Sequence, residues 1–174
     1  MIFVKDNFFD EKTFDLVSKE IRKLECFDKE HDPHVLKDAV YPGYRTADLV
    51  TEHVLLDNFI IRQIEQSGSP FVNGTWEQHQ YAYMRLGKDE AGEYRHQDPY
   101  DWAYVIYMSK TNLNSGTKLY ESLDETKDDE VANVRFVQNR VVMFNSDIPH
   151  RSWGNHGKDF TDGRLTINGF AFYT

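Results

Sequence analysis

The hydrophobic pattern of this chain changes at Trp76, and this change limits the possible folds more than any other feature of the sequence. Before it, apolar residues recur at spacings of three and four, which is typical of an amphipathic helix; examples are Phe14, Val17, Ile21 and Leu24. After it, apolar and polar residues alternate in short runs that turn residues separate, as in 76–86, 102–108 and 164–173. Helices followed by many short strands predict a mainly β protein with flanking helices (α+β), whose strands form a barrel or sandwich.

Two helices are predicted in the N-terminal part. The first covers about residues 10–24, with Asp10 as its N-cap, and the second covers about residues 49–66. Between them, residues 26–47 form a long connection, either a plain surface loop or a cover over a substrate site. A chain of 174 residues has the length of one domain. We therefore expect a single domain, 1–174, with residues 1–75 as a helical support and residues 76–174 as the β core.

Composition and charge disfavour several classes of partner. The net charge of −9 disfavours nucleic acid, because proteins that bind it usually present a basic surface. The single cysteine, Cys26, cannot form an internal disulfide, which favours a reducing compartment. No apolar run approaches the ~20 residues of a membrane span, and the N-terminus lacks the basic-then-apolar plan of a secretion signal. The sequence thus predicts a cytoplasmic protein with neither a membrane nor a nucleic-acid partner.

His96, Asp98 and His150 are the candidate metal ligands, and so the candidate catalytic centre. His96 and Asp98 are two residues apart in a segment with strand-forming neighbours, so their side chains are expected on the same face of a strand. Two histidines and one carboxylate can cap one face of an octahedral metal and leave the opposite face open. This facial triad is typical of non-haem Fe(II) oxygenases.

Other groups compete for these roles. The segment His31-Asp32-Pro33-His34 also offers two histidines and a carboxylate, but proline restricts its backbone and it lacks a strand pattern. His156 is an alternative to His150, although its glycine- and asparagine-rich neighbours indicate a loop. Arg95 and Arg151 lie next to the candidate ligands, and we expect them to be exposed to solvent.

At His96-Gln97-Asp98, His150 and Arg164-Leu165-Thr166 the chain resembles the 2-oxoglutarate/Fe(II)-dependent dioxygenases, in particular the prolyl 4-hydroxylase-like branch. The resemblance covers about residues 76–173. It implies a double-stranded β-helix (a cupin-like jelly roll) with the triad inside the barrel mouth. It further implies Fe(II), the cosubstrates 2-oxoglutarate and O2, and compatibility with ascorbate. The expected reaction hydroxylates a peptidyl (prolyl-like) or small-molecule substrate and releases succinate and CO2.

The same resemblance assigns residues to the cosubstrate. Arg164 and Thr166 share one face of the last strand, where a guanidinium and a hydroxyl could hold the far carboxylate of 2-oxoglutarate. Tyr107 matches a strand tyrosine that donates to this carboxylate in relatives; alternatively, it is a core aromatic with its hydroxyl bonded elsewhere. Tyr83 is a weaker candidate for contact with the cosubstrate. Asn168 has the same parity as Arg164 and is expected behind the direct ligands.

Two other functions compete with this hypothesis, because one fold supports many chemistries. A cupin-like enzyme could bind another metal and catalyse isomerisation or hydrolysis, but such a reaction needs no anchor like Arg164 and Thr166. A non-catalytic jelly-roll binding module would be expected to have lost a metal ligand, whereas this chain has all three.

Overall fold

A computed structural model of the chain describes residues 1–33, 41–87, 94–154 and 157–174. The helices are α1 (Glu11–Ile21), α2 (Leu49–Glu52) and α3 (Val54–Glu65), and a short 3-10 turn covers Pro70–Val72. The strands are β1 (Ile2–Lys5), β2 (Phe27–Asp28), β3 (Tyr44–Arg45), β4 (Trp76–Arg85), β5 (Trp102–Tyr107), β6 (Asn112–Tyr120), β7 (Glu130–Phe136), β8 (Val141–Asn145), β9 (His150–Gly154) and β10 (Arg164–Tyr173).

The described strands form two antiparallel sheets. The large sheet has the order β1-β8-β5-β10-β4-β3-β2, and the small sheet has the order β7-β6-β9. A cluster of buried side chains from both sheets fills the space between them; its members are Ala103, Val105, Tyr107, Leu119, Val134, Phe136, Val142 and Phe144. The predicted mainly β fold with a jelly-roll core is confirmed.

The helices cover the other face of the large sheet. Val17 and Ile21 of α1 and Ile60 and Ile64 of α3 are buried in one cluster with side chains of the sheet, including Ile167. Below, the sheet surface under the helices is called the helix face, and the surface turned to the small sheet is called the barrel face. The N-terminal residues therefore share a hydrophobic core with the sheet. None of the helices in the described residues is long and apolar enough to cross a membrane.

Both predicted helices form, with shifted ends. The first is α1, and Asp10 caps it by accepting a hydrogen bond from the backbone N–H of Thr13. The second is divided at His53 into α2 and α3. The connection over residues 26–47 contributes β2 and β3 to the edge of the large sheet beside β4, while residues 34–40 of this connection lie outside the described part.

One predicted strand pairing is wrong. The strand-like runs 133–137 and 140–145, separated by Gln138-Asn139, predict a hairpin. These strands exist as β7 and β8, but β7 pairs with β6 in the small sheet, whereas β8 pairs with β5 and β1 in the large sheet. Asn139 has a positive φ of 61°, and its side chain bonds the backbone of Phe9, so it directs the chain from one sheet to the other.

Candidate metal centre

His96, Asp98 and His150 lie together at the open end of the barrel. Each offers one ligand atom within 4.8 Å of the others, and His150 Nε2 is 3.3 Å from Asp98 Oδ2. The two imidazole rings have centroids 4.3 Å apart. Within residues 1–33, 41–87, 94–154 and 157–174, this is the one group of three ligand-type side chains with such spacing.

The segment that carries His96 and Asp98 is irregular, and the predicted strand is wrong. His96 forms a single antiparallel bridge with His150, with N–O distances of 3.0 and 2.9 Å in the two directions. The next ladder position is not filled, because Asp98 N donates to Ser146 O at 3.1 Å and Pro99, which has no N–H, follows. The two side chains still reach a common point, although by a turn rather than by strand alternation.

Backbone carbonyls orient both imidazoles. His150 Nδ1 lies 2.9 Å from the carbonyl of Ile148, and His96 Nδ1 lies 3.2 Å from the carbonyl of Tyr94. A ring nitrogen that faces a carbonyl oxygen carries the proton, so on both rings Nε2 keeps the lone pair that can bind a metal. Burial, and then the nearby His150, lower the pKa of His96 below its usual value, which favours its neutral form.

Side chains of three neighbouring strands form rows on the barrel face. Thr166 of β10 lies opposite Tyr83 on β4 and opposite Tyr107 on β5, and Arg164 lies opposite Arg85. Directly opposed residues of antiparallel strands project to the same face, so these side chains surround one space. Arg164 is 7% exposed and Thr166 is fully buried.

Two side-chain oxygen atoms of β10 on this face are buried without a hydrogen-bond partner among the described residues. They are the hydroxyl oxygen of Thr166 and the amide oxygen of Asn168. Buried polar atoms are almost always bonded, so such a pair on one face indicates a place that a polar ligand or water occupies. The guanidinium of Arg164 lies near them, with its carbon 5.8 Å from the ring centre of Tyr107.

The two tyrosines proposed for the cosubstrate have different surroundings. The hydroxyl of Tyr107 is within hydrogen-bonding distance of Thr117 Oγ1, at 2.8 Å, and of the carbonyl of Val134, at 3.2 Å. It is thus already bonded inside the barrel, as expected of a core aromatic. Burial raises the pKa of Tyr83, whose hydroxyl interacts with the guanidinium of Arg45 and whose ring centre lies 6.0 Å from that of Tyr41.

Two arginines of the large sheet, Arg85 and Arg45, are buried, and sequence reasoning missed the first of them. Arg85 is 6% exposed and donates to the hydroxyl of Ser152, which lies two residues after His150 on β9. Arg45 forms an ion pair with Asp32 at 2.7 Å and lies 4.5 Å from the ring centre of Tyr41. The parity of Arg85 with Tyr83 on β4 was a signal for Arg85. For Arg45, the sequence of the connection 26–47 leaves two alternatives, a residue that lines a substrate entrance or part of a plain surface loop.

The competing sequence motifs are resolved where the structure describes them. Asp32 is engaged by Arg45 and by the hydroxyl of Tyr41, and His31 pairs with Asp28 at the surface. His34 and His156 lie outside the described residues. So does most of the segment 87–92, which begins at Gly87 and ends at Gly92 and is predicted from the sequence as a turn after the strand 76–86. The expectation for Arg95 is wrong, because its side chain is 5% exposed and is bonded to the loop after β6.

The residues present fit a metal with an oxo-acid cosubstrate. Two imidazoles and one carboxylate match the ligand set of non-haem Fe(II) sites. The buried guanidinium, hydroxyl and amide of β10 lie on the same barrel face and match the needs of a carboxylate.

Comparison with known proteins supports the fold. No family model and no curated protein sequence matches the chain. Solved structures do match. HygX from Streptomyces hygroscopicus, with nickel, 2-oxoglutarate and hygromycin B bound, has a TM-score of 0.65 and 13% identity over 99% of this chain and 83% of its own. A prolyl hydroxylase from Trichoplax adhaerens, in complex with a peptide fragment of the hypoxia-inducible factor oxygen degradation domain, has a TM-score of 0.66 and 13% identity over 98% and 83%. The α-ketoglutarate-dependent epimerase SnoN has a TM-score of 0.68 and 11% identity over 99% and 78%.

Proposed function

We propose that this chain, which has the fold of the 2-oxoglutarate/Fe(II) oxygenases, is itself an Fe(II)- and 2-oxoglutarate-dependent dioxygenase that hydroxylates its substrate. One observation carries the proposal. A triad of His96, Asp98 and His150 lies in the same barrel as the buried polar row of Arg164 and Thr166. A metal site alone would fit many reactions, whereas a metal site with a buried carboxylate anchor fits an oxo-acid cosubstrate.

His96, Asp98 and His150 would hold the metal. Each imidazole presents Nε2, because its Nδ1 faces a carbonyl, and Asp98 supplies the negative charge. The bound Fe(II) supplies the redox chemistry by which O2 converts 2-oxoglutarate to succinate and CO2 while a substrate carbon is hydroxylated. The protein contributes the geometry, a dry site and an open side for the reactants.

Arg164 and Thr166 would hold the far carboxylate of 2-oxoglutarate. The planar guanidinium can donate two parallel hydrogen bonds to a carboxylate, and the hydroxyl of Thr166 can donate another. Their burial strengthens these bonds, since water does not compete for the charge. Asn168 extends the row towards the triad and would orient the groups around the chelated end of the cosubstrate.

The substrate is proposed to be a small molecule or a peptide. Solved structures with this fold include HygX with hygromycin B and a prolyl hydroxylase with a peptide, so the fold accommodates both kinds. Tyr100, two residues after Asp98, has its ring centre 5.4 Å from that of Phe170, and the ring centres of Tyr81 and Tyr83 are 6.1 Å apart; all four rings are half-buried. Such rings can pack against a ring of the substrate.

The cellular setting is proposed to be the cytoplasm. Cys26 is the single cysteine, and burial raises the pKa of its thiol, so it stays in the unreactive protonated form. The net charge of −9 supports a partner other than nucleic acid.

The proposal is tested by following succinate formation from 2-oxoglutarate with O2, Fe(II) and ascorbate, first alone and then with panels of peptides and ring-containing metabolites. We expect succinate that requires Fe(II) and disappears in His96→Ala. Turnover that does not depend on a metal contradicts the proposal. Preference for Zn(II) or Mn(II) without affinity for 2-oxoglutarate supports a cupin-like enzyme of another class instead.

A further inference from the structure

We infer that the acidic segment 121–129, between β6 and β7, braces the metal centre, and that Arg95 and Glu125 are its positioning residues. The inference rests on the proposed function, because it concerns the same metal triad. It assigns a role to a charged segment that the sequence alone indicates only as a solvated loop.

The segment that carries His96 and Asp98 makes few backbone hydrogen bonds to the neighbouring strands. Among the described residues, its ladder contacts are the His96–His150 bridge and the hydrogen bond from Asp98 N to Ser146 O. Residues outside a continuous sheet are held more weakly than strand residues. A metal site needs its ligands within about 0.5 Å of their working positions, so side chains next to the segment must supply the missing rigidity.

Arg95 supplies a large part of the rigidity of the segment that carries His96 and Asp98. Nη1 donates to the carbonyl of Asp124 at 2.7 Å and to the carboxylate of Asp129 at 2.6 Å, and Nη2 donates to the carbonyl of Lys127 at 2.7 Å. The guanidinium carbon also lies 3.7 Å from the ring centre of Tyr120. The residue before His96 is therefore fixed inside the acidic segment, and the segment in turn wraps around a buried cation.

Glu125 links both histidines of the triad. One carboxylate oxygen accepts the backbone N–H of Arg95 at 2.7 Å, and the other accepts Nη1 of Arg151 at 3.3 Å. Arg95 precedes His96 and Arg151 follows His150. A single carboxylate thus bridges the neighbours of two proposed ligands that come from distant parts of the chain.

Tyr120 connects the acidic segment 121–129 to β9 and to the residue before it. Its backbone N–H donates to the carbonyl of Pro149 at 2.8 Å, and its hydroxyl accepts Nε of Arg151 at 2.9 Å. The segment 121–129 therefore begins at a residue that is bonded on both sides of His150. This geometry predicts that loosening the segment moves the two imidazoles relative to one another.

The test measures the affinity of the full chain for Mn(II), used as a redox-stable probe, in Arg95→Leu and Glu125→Gln. Glu130→Gln is the matched control, because it neutralises a neighbouring carboxylate of the same sheet that forms a salt bridge with Lys118, at 2.7 Å, rather than with Arg95 or Arg151. We expect the Mn(II) Kd to rise at least about 10-fold in Arg95→Leu, several-fold in Glu125→Gln, and less than about 2-fold in Glu130→Gln. The side chain of Glu125 is 46% exposed, so its variant is expected to fold even if Arg95→Leu does not.

Amide hydrogen exchange in the metal-free protein gives a second readout. The N–H of His96 should exchange faster in Arg95→Leu and Glu125→Gln than in wild type, while the amides of β10 should not. An unchanged Mn(II) Kd and unchanged exchange at His96 in a folded Glu125→Gln overturn the brace. Wild-type protein that binds Mn(II) but forms no succinate contradicts the proposed function instead, and leaves the brace to be judged by these two measurements.

Discussion

The two faces of strand β10 differ in chemistry, and the helix face is the more deeply buried. On the helix face, Leu165, Ile167 and Ala171 pack in an apolar core. On the barrel face, the alternate residues Thr166 and Asn168 carry buried oxygen atoms without a hydrogen-bond partner among the described residues. Unsatisfied polar atoms lower stability, so the barrel face is arranged for a ligand and the helix face for folding.

The helix face also contains polar groups, but these are hydrogen-bonded to one another within the protein. The hydroxyl of Tyr104 donates to Gln78 Oε1 at 2.9 Å and is close to Gln80, and the amide groups of both glutamines donate to Asp57 on α3. These bonds join the sheet to the helix and are satisfied within the protein. Substitutions on the barrel face should therefore mainly weaken ligand binding, whereas substitutions on the helix face should mainly lower the free energy of unfolding.

The largest effect is expected at the triad. His150→Ala should lose high-affinity metal binding and all detectable succinate formation, because two ligands hold a metal ion far more weakly than three. The free energy of unfolding without metal should also fall, by roughly 0.5–3 kcal/mol, because His150 is 7% exposed and its ring centre lies 4.7 Å from that of the core residue Phe144. Urea unfolding of the apoprotein and a succinate assay separate the two effects. A variant that keeps wild-type turnover would exclude His150 as a ligand.

Ile167→Ala tests the helix face and should have the opposite result. Ile167 is fully buried, so the cavity is expected to lower the free energy of unfolding by about 2–5 kcal/mol. The Kd for 2-oxoglutarate should stay within about 2-fold of wild type while the protein remains folded. Leu55→Ala is the control, because Leu55 is 80% exposed and its loss should change the stability by less than about 0.5 kcal/mol.

Arg164→Lys tests the geometry of the anchor rather than its charge. Lysine keeps the positive charge but loses the two parallel donors, so the Kd for 2-oxoglutarate should rise about 10-fold. Calorimetric titration of the Mn(II)-loaded protein measures this, and the Kd for Mn(II) alone should be unaltered. Equal cosubstrate affinity in the lysine variant would show that the bidentate contact is absent.

Thr166→Val should have smaller effects, which weaken the binding of 2-oxoglutarate but do not lower the stability of the protein. Valine has nearly the shape of threonine but removes the hydroxyl, so 2-oxoglutarate should bind several-fold more weakly. The free energy of unfolding should stay equal or rise, because an unsatisfied buried hydroxyl is lost. A loss of stability greater than about 1 kcal/mol would instead indicate that the hydroxyl serves the fold.

Asp57→Asn has the smallest expected effect and depends on pH. Burial raises the pKa of Asp57 in the folded protein, so the native state binds its proton more tightly than the unfolded chain does. This carboxyl therefore favours folding at low pH, and that contribution is lost as the pH rises through the raised folded pKa. Asparagine does not titrate, so the stability of the variant lacks this dependence on pH. The variant should be more stable than wild type at pH 7 by less than about 1 kcal/mol, and the difference should vanish below about pH 4.

Urea denaturation at several pH values measures this difference, with Asp15→Asn on the exposed side of α1 as the control. A variant that is less stable than wild type at pH 7 would show that the ionised carboxylate of Asp57 supports the network with Gln78 and Gln80.

Local sequence patterns were sufficient to predict which polar residues share the barrel face of β10. The parity of Arg164, Thr166 and Asn168 follows from strand alternation, and the structure places them on one face as expected. Alternation does not report which strands pair, so β7 and β8 were wrongly joined. The burial of Arg95 was missed because its partners lie 27 to 34 residues further along the chain, and only the folded loop brings their oxygen atoms together.

The central claim is that the barrel face holds a metal and an oxo acid together. Anaerobic addition of Fe(II) and 2-oxoglutarate to the apoprotein tests it most directly, since bidentate binding of the oxo acid to Fe(II) gives a weak metal-to-ligand charge-transfer band in the visible spectrum. We expect this band in wild type, and its loss in Arg164→Ala at the same cosubstrate concentration. A wild-type protein that binds Fe(II) and shows no band would contradict the account.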